Sequence, residues 1–279
     1  MEELKYCAFI DVLGYSGLVT DTSLSTANKI KMLKSIYESL ATHFLMTIND
    51  MKSSHPEEIY MRSFSDCFYL DCEKIEPLLI AIERIFDYTI GFYKNIPLSD
   101  AYTPLLRCGI VKDWIVKFRD IGAITYGTGE LNPVGLAVVR AYTTSEKSRL
   151  SGMRIIISPE VMEDLNPLHL TIPDFTCYIK DIQVYPKLIS RYYFKHIIKN
   201  EKSETTDLYE LMWPYGRVND HPWDCIEILT KIKRTVPQDH YRHFEETVKL
   251  YLDAFLLSDR KTKSYSNYER DRARLAALL

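Results

Sequence analysis

The sequence predicts an α+β sandwich in which helices cover one face of a mainly antiparallel sheet and leave the other face open to a substrate or partner. Three observations predict it. An apolar run lies near the start, Lys5 to Val12; two long amphipathic segments each stand between strand-like runs; and the elements follow the order β, α, β, β, α, β, α, β. That order is of the ferredoxin type.

Taken in order, Lys5 to Val12 reads as a buried strand, and "STANKIKMLKSIYESLATHFLMTINDM" as a helix with Ile30, Leu33, Ile36, Tyr37 and Leu40 at helical spacing. Ser23 or Ser25 is its candidate cap. "EEIYMRSFSDCFYLDC" holds two β-rich runs around Ser65 and Asp66, a hairpin without the strong Asn-Gly or Asp-Gly signal. "EPLLIAIERIFDYTIGFYKN" is a second amphipathic helix, "PLLRCGIVKDWIV" a strand or hairpin, "GLAVVRAYTTSEKSR" a third helix, and "MRIIISPEV" a strand leading into a helix. The polar "KNEKSETTD" reads as a connector near residue 200, which divides the chain into a domain of residues 1–200 and a helical extension of residues 201–279. In that extension "CIEILTKIKRTV" and "HYRHFEETVKLYLDAFLLSDRK" are amphipathic and pack on the sheet domain or a partner subunit.

Composition narrows the function classes. With 46% apolar and 26% charged residues the 279-residue chain is an ordinary globular protein able to bury a sizeable core. A net charge of −3 gives no reason to expect nucleic acid or an anionic membrane. Six scattered cysteines without a CxxC pair favour a reducing cytoplasm over a disulfide framework. No run approaches the roughly 18 apolar residues of a membrane span, and "MEELKYCAF" lacks the basic start of a secretory signal. A cytoplasmic location follows as the expectation.

The chemistry concentrates in "CAFIDVLGYSGL", where Asp11 ends an apolar strand, and in "RSFSDCFYL", where Asp66 stands in the hairpin turn. Singly, each aspartate reads as a turn or helix cap. If the two strands are neighbours the carboxylates converge, and a pair of carboxylates suits Mg²⁺ or Mn²⁺, with the Val12 carbonyl as a further oxygen ligand. Gly14 and Gly17 lie in the turn that follows, so Leu13, Gly14 and Tyr15 are candidates to receive a triphosphate. No Walker or GxSxG motif is present, and "HYRH", His240 and His243, reads as a solvated or partly buried helix face, since no carboxylate or cysteine completes a metal set.

These motifs resemble those of the class III nucleotidyl cyclases. "FIDVLGYSGL" is similar to their first metal motif, "RSFSDCFYL" to the second, "LLRCGIVKD" to the strand after the second long helix, and "GLAVVRAYTTSEK" to the helix lining ribose and triphosphate. The resemblance covers roughly residues 5 to 165. It implies two Mn²⁺ or Mg²⁺ ions on Asp11 and Asp66, attack of a 3′-hydroxyl on the α-phosphate of a nucleoside triphosphate, and a homodimer whose subunits meet head to tail and complete each other's sites.

The departures point to the base. Purine cyclases carry lysine four residues before the second aspartate, where this chain has Arg62. Tyr60, Arg62 and Phe64 alternate onto one strand face. Arginine only donates hydrogen bonds, which suits the carbonyl oxygens of uracil, and Tyr60 can stack or hydrogen-bond. The bland alternative is a surface ion pair for Arg62 and half-buried packing for Tyr60. In the transition-state helix, Arg140 aligns with the family's arginine only if Leu136 takes the asparagine position; sliding by three puts Val139 and Thr143 there and loses both. Arg140 is thus a candidate for steadying phosphate charge, or a surface residue. This divergence looks most like the bacterial pyrimidine cyclases of antiphage signalling, which implies conversion of UTP to cyclic UMP, a messenger read by a separate effector protein. A cytidylate cyclase, a purine cyclase and a non-catalytic nucleotide-binding module are the rival readings.

Overall fold

The computed structural model describes residues 2–52, 59–64, 67–92, 105–116, 135–147, 150–165, 169–170, 177–179, 182–184, 186–189, 192–201, 204–220, 222–236, 238–257 and 268–279. Strand β1 (Glu2–Leu13) leads through the short helix α1 (Tyr15–Thr20) to the long α2 (Thr26–Lys52). The Ser25 hydroxyl accepts the Asn28 N–H at 3.3 Å, so of the two candidate caps Ser25 starts α2. A hairpin of β2 (Tyr60–Phe64) and β3 (Cys67–Cys72) follows, closed by the pair Phe64 and Cys67. Helix α3 (Ile75–Phe92) then precedes β4 (Leu105–Val116), a single strand and not a hairpin.

These strands lie in the order β2-β3-β1-β4, with each neighbouring pair antiparallel. That is the ferredoxin-type order expected from the sequence, and the fold is an α+β sandwich. Alternate residues of β1, Tyr6, Ala8, Ile10 and Val12, meet Ile36, Leu40 and Phe44 of α2 and Leu78, Ile82 and Phe86 of α3 in one core. Period-two alternation on the strand and helical spacing on the helices put these residues there.

The opposite face departs from expectation. Helix α4 (Leu136–Lys147) crosses it, burying Ala137 and Ala141 against Cys7, Tyr69, Val111 and Ile115. Gly109 permits the approach, because a Cβ there would strike the Ala141 carbonyl and come within 2.9 Å of the Ser145 nitrogen. This face is therefore partly covered, not open. Two small residues on α4 and a glycine on β4 allow a helix to lie close where bulky side chains would hold it away.

Beyond α4, β5 (Ile155–Ile157) joins β4 in parallel and runs into α5 (Pro159–Leu165). The sheet then extends by strands absent from the sequence reading: β6 (His169–Leu170), β9 (Pro186–Ile189), β10 (Tyr192–Glu201) and β11 (Glu204–Leu211), while β7 (Cys177–Ile179) and β8 (Ile182–Val184) pair apart. The stretch expected to be a connector near residue 200 is instead a hairpin tip, with Asn200 opposite Thr205 and Glu201 opposite Glu204. Strand β11 pairs with β5, so residues past 200 still belong to the sheet and the helices begin only at Tyr215.

Helices α6 (Tyr215–Asp220), α7 (Pro222–Thr235), α8 (Tyr241–Leu257) and α9 (Tyr268–Ala276) complete the described chain. Val218, Leu229, Phe244, Val248, Tyr251 and Leu275 share the core of α2 and α3. The ring of Trp213 meets those of Phe86 and Tyr251 edge to face at 5.5 Å each, while its indole N–H donates to the Met153 carbonyl at 2.8 Å. Cys7, Cys67, Cys72, Cys108 and Cys225 are thiols outside any disulfide, and no described helix is long and apolar enough to cross a membrane.

Candidate functional site at the end of the first strand

Asp11 sits near the C-terminal end of β1, with Cys67 of β3 as its register partner on one side and Arg107 of β4 on the other. Arg107 Nη2 donates to Asp11 Oδ2 at 2.9 Å and also pairs with Glu146 of α4. The two side chains are only 22% and 14% exposed, a setting in which a carboxylate needs a positive partner. Arg107 supplies that charge. Sequence reasoning missed it, although an arginine inside the apolar run "LLRCGI" is as conspicuous a misfit as Asp11 in "AFIDVL".

The neighbouring candidates divide by face. Val12 turns its side chain into the core at 3% exposure, so only its carbonyl is left to serve as a ligand; Leu13 is buried as well. Gly14 takes φ +82°, a left-handed conformation that costs a side-chain-bearing residue, and it turns the chain from β1 into α1. Tyr15 packs its ring edge-on to Tyr37 of α2, 6.3 Å between centroids.

Tyr60 and Arg62 lie on the same sheet face as Asp11, because Tyr60 pairs with Asp71, Arg62 with Tyr69, and these in turn with Cys7 and Phe9 of β1. Two strands across and two residues along separate Arg62 from Asp11, roughly 12 Å at ordinary sheet spacings. Arg62 Nη1 donates to the Met61 carbonyl at 3.2 Å, and Lys5 Nζ stands 5.3 Å from the centre of the Tyr60 ring.

Arg140 is elsewhere. Its guanidinium donates to Asp113 Oδ2 at 2.5 Å and pairs with Glu160 of α5. Burial opposes its charge, but Asp113 and Glu160 outweigh burial and hold its pKa above the ordinary arginine value. Asp113 lies six residues along β4 from Arg107, roughly 20 Å at strand rise, so within one chain Arg140 does not join Asp11. The residue of α4 that reaches this end is Glu146.

The C-terminal helices reach it too. His243 Nδ1 accepts the Gly152 N–H at 3.1 Å, and burial, followed by the charges of His240, Arg107 and Arg242, keeps its pKa below the usual histidine value. The His240 ring lies against Gly14. Neither contact is visible as a motif, since more than 200 residues separate His240 from Gly14.

Asp66 lies outside the described residues. The residue that follows it, Cys67, is the register partner of Asp11, with Phe64 the next across. Among the described residues no group of three or more His, Cys, Asp and Glu is placed to hold a metal ion. What the described part contributes is the Asp11 carboxylate and the Val12 carbonyl, oxygen donors of the kind a hard divalent cation takes.

No protein-family model matches the sequence, and no curated protein matches it. Among solved structures, the chain is similar to a bacterial light-regulated adenylyl cyclase, with a TM-score of 0.48 and 13% identity over 85% of this chain and 100% of that one. It is also similar to the guanylyl cyclase Cya2, at 0.45 and 12% over 76% and 91%, and to an adenylate/guanylate cyclase/hydrolase from Silicibacter pomeroyi, at 0.43 and 12% over 75% and 96%. Likenesses this distant leave the activity to be argued from the chain's own residues.

Proposed function

We propose that the protein is a homodimeric pyrimidine nucleotide cyclase that converts UTP to 3′,5′-cyclic UMP and pyrophosphate. The observation that carries the reading is the register of β1 against β3: Asp11 faces Cys67, the residue directly after Asp66. Asp11, the Val12 carbonyl and Asp66 are the oxygen donors that would hold two Mn²⁺ or Mg²⁺ ions, which supply positive charge for phosphoryl transfer.

In this reading the 3′-oxygen forms a bond to the α-phosphorus, the bond to the bridging oxygen of pyrophosphate breaks, and the hydroxyl proton leaves to solvent. Arg107 holds the Asp11 carboxylate in one orientation, which a water-exposed aspartate would not keep. Leu13, Gly14 and Tyr15 form the turn beside the triphosphate. Tyr60 and Arg62, on the same face as Asp11, read the base, with Arg62 donating to uracil carbonyl oxygens. Because Arg140 stands far from Asp11 in its own chain, its contact with phosphate requires a second subunit docked head to tail. The cyclic product would act through a separate effector protein.

A second reading, a cyclase-like module that binds nucleotide without turnover, is favoured by one observation: Arg140 is already engaged by Asp113 and Glu160. One experiment separates the two. The purified protein is incubated with each of the four nucleoside triphosphates and Mn²⁺, and products are identified by mass spectrometry. Cyclic UMP is expected, and Asp11→Asn or Asp66→Asn lowers kcat on the order of 10²-fold or more with an unchanged circular-dichroism spectrum. Stabilisation by nucleotide without any cyclic product supports the binding module. Full activity in Asp66→Ala overturns the metal assignment.

A further inference from the structure

We infer that His240, from the C-terminal helical part, is a positioning residue for the turn that follows Asp11, so that the helices beyond the sheet form one wall of the site. The inference rests on the cyclase reading of that end of the sheet and deepens it.

The geometry starts at Gly14. Its φ of +82° already favours glycine, but a second constraint is independent of backbone conformation. A Cβ at residue 14 would lie 2.6 Å from His240 Nε2 and closer still to Cε1 and Nδ1, so the imidazole occupies the volume a side chain would need. The ring therefore rests directly on the backbone where β1 turns into α1, three residues from Asp11.

A ring can brace a turn only if its own backbone is anchored, and α8, which begins at the next residue, is anchored by three contacts. The segment entering β5 is tied to successive turns of α8: Gly152 N–H donates to His243 Nδ1 at 3.1 Å, Met153 N–H to Thr247 Oγ1 at 2.9 Å, and Arg154 Nη2 to Glu246 Oε2 at 3.0 Å. The same segment is locked to β4 beside Arg107, since Cys108 N–H donates to the Arg154 carbonyl at 2.8 Å. Asp11 is bonded to Arg107. A closed circuit results, running from Asp11 through Arg107, β4, the 152–154 segment, α8 and His240 back to Gly14. Opening it at His240 leaves the sheet contacts and the Asp11–Arg107 pair intact but lets the turn relax, which weakens binding of the triphosphate more than it slows the chemical step.

His240 lies at the rim of this contact and not in the core, so its loss is expected to act on the site more than on stability. The test measures KM, kcat and melting temperature for the wild type, His240→Ala, His240→Gln, Gly14→Ala and the double variant Gly14→Ala/His240→Ala. His240→Ala is expected to raise the KM for UTP about tenfold with kcat within about twofold. His240→Gln, which keeps a planar group against Gly14, restores most of that loss. In the double variant the two defects are less than additive, because removing the ring makes room for the new methyl.

A KM for His240→Ala within twofold of the wild type, or strict additivity in the double variant, overturns the inference. If the wild type makes no cyclic product, the cyclase reading has failed, and His240 is then judged by the melting shift that inorganic tripolyphosphate with Mn²⁺ produces. A shift in the wild type that falls by half or more in His240→Ala upholds the positioning role, and equal shifts, or none in the wild type, overturn it.

Discussion

At the scale of single residues, charge and burial decide most of what the site can be. Asp11 belongs at the end of an apolar strand because Arg107 stands beside it at 2.9 Å, so the carboxylate is oriented before any ligand arrives. A second buried polar residue works differently. The Nδ1 of His43 on α2 lies 3.3 Å from Thr89 Oγ1, whose hydroxyl donates to the Ile85 carbonyl at 2.7 Å, so Nδ1 is the donor. Burial lowers the His43 pKa from 6.5 to about 4. The unfolded chain thus binds a proton that the folded chain refuses between these values, and the contribution of neutral His43 is fully present above pH 6.5 and lost as pH falls toward 4. Urea midpoints measured at pH 7 and pH 4.5 are expected to fall less for His43→Gln than for the wild type.

At the scale of elements, helix α4 shows how a short sequence signal sets a packing distance. Gly109 on β4 and Ala137 and Ala141 on α4 let the helix settle onto the sheet, which in turn delivers Glu146 to Arg107 at one end and Arg140 to Asp113 at the other. Gly109→Ala is expected to push α4 outward and destabilise the protein by about 1–3 kcal/mol, read as a lowered urea midpoint. Elements such as α2, α3 and the β2–β3 hairpin were legible in the sequence because their apolar spacing is regular over many residues. Strands β6 to β11 were not: β6 to β9 are only two to four residues long, and the longer β10 and β11 meet in the polar stretch "KNEKSETTD", which has the composition of a loop, so only pairing with β5 and with one another makes them strands.

At the scale of the whole molecule, the C-terminal helices and the sheet share one core, and a buried ion cluster ties them together. Arg154, beside β5, is held by both carboxylate oxygens of Glu210 on β11 at 2.7 and 2.9 Å and by Glu246 of α8 at 3.0 Å. Burial works against the guanidinium charge, and the two glutamates more than offset it, keeping the Arg154 pKa above its ordinary value. Glu210→Ala is expected to cost about 3–5 kcal/mol, since it strands a charge in the interior, whereas Glu38→Ala, which breaks the exposed pair with Lys34, costs under about 1 kcal/mol. Chemical denaturation of both variants checks the contrast, and a single transition shared by tryptophan fluorescence and circular dichroism is expected, because the described C-terminal helices bury their apolar residues in the core of α2 and α3.

The sequence by itself determined the α+β class, the ferredoxin-type order of elements along the chain and the candidates Asp11 and Asp66, because hydrophobic period and misplaced charge are local properties of a chain, while Tyr60 and Arg62 were singled out by the resemblance of their motif. The tertiary structure decided which residues stand together. Arg107 and Glu146 with Asp11, His240 against Gly14, and Arg140 apart from both are long-range facts. They follow from strand register and helix packing, which depend on how distant segments fit and not on any stretch read alone.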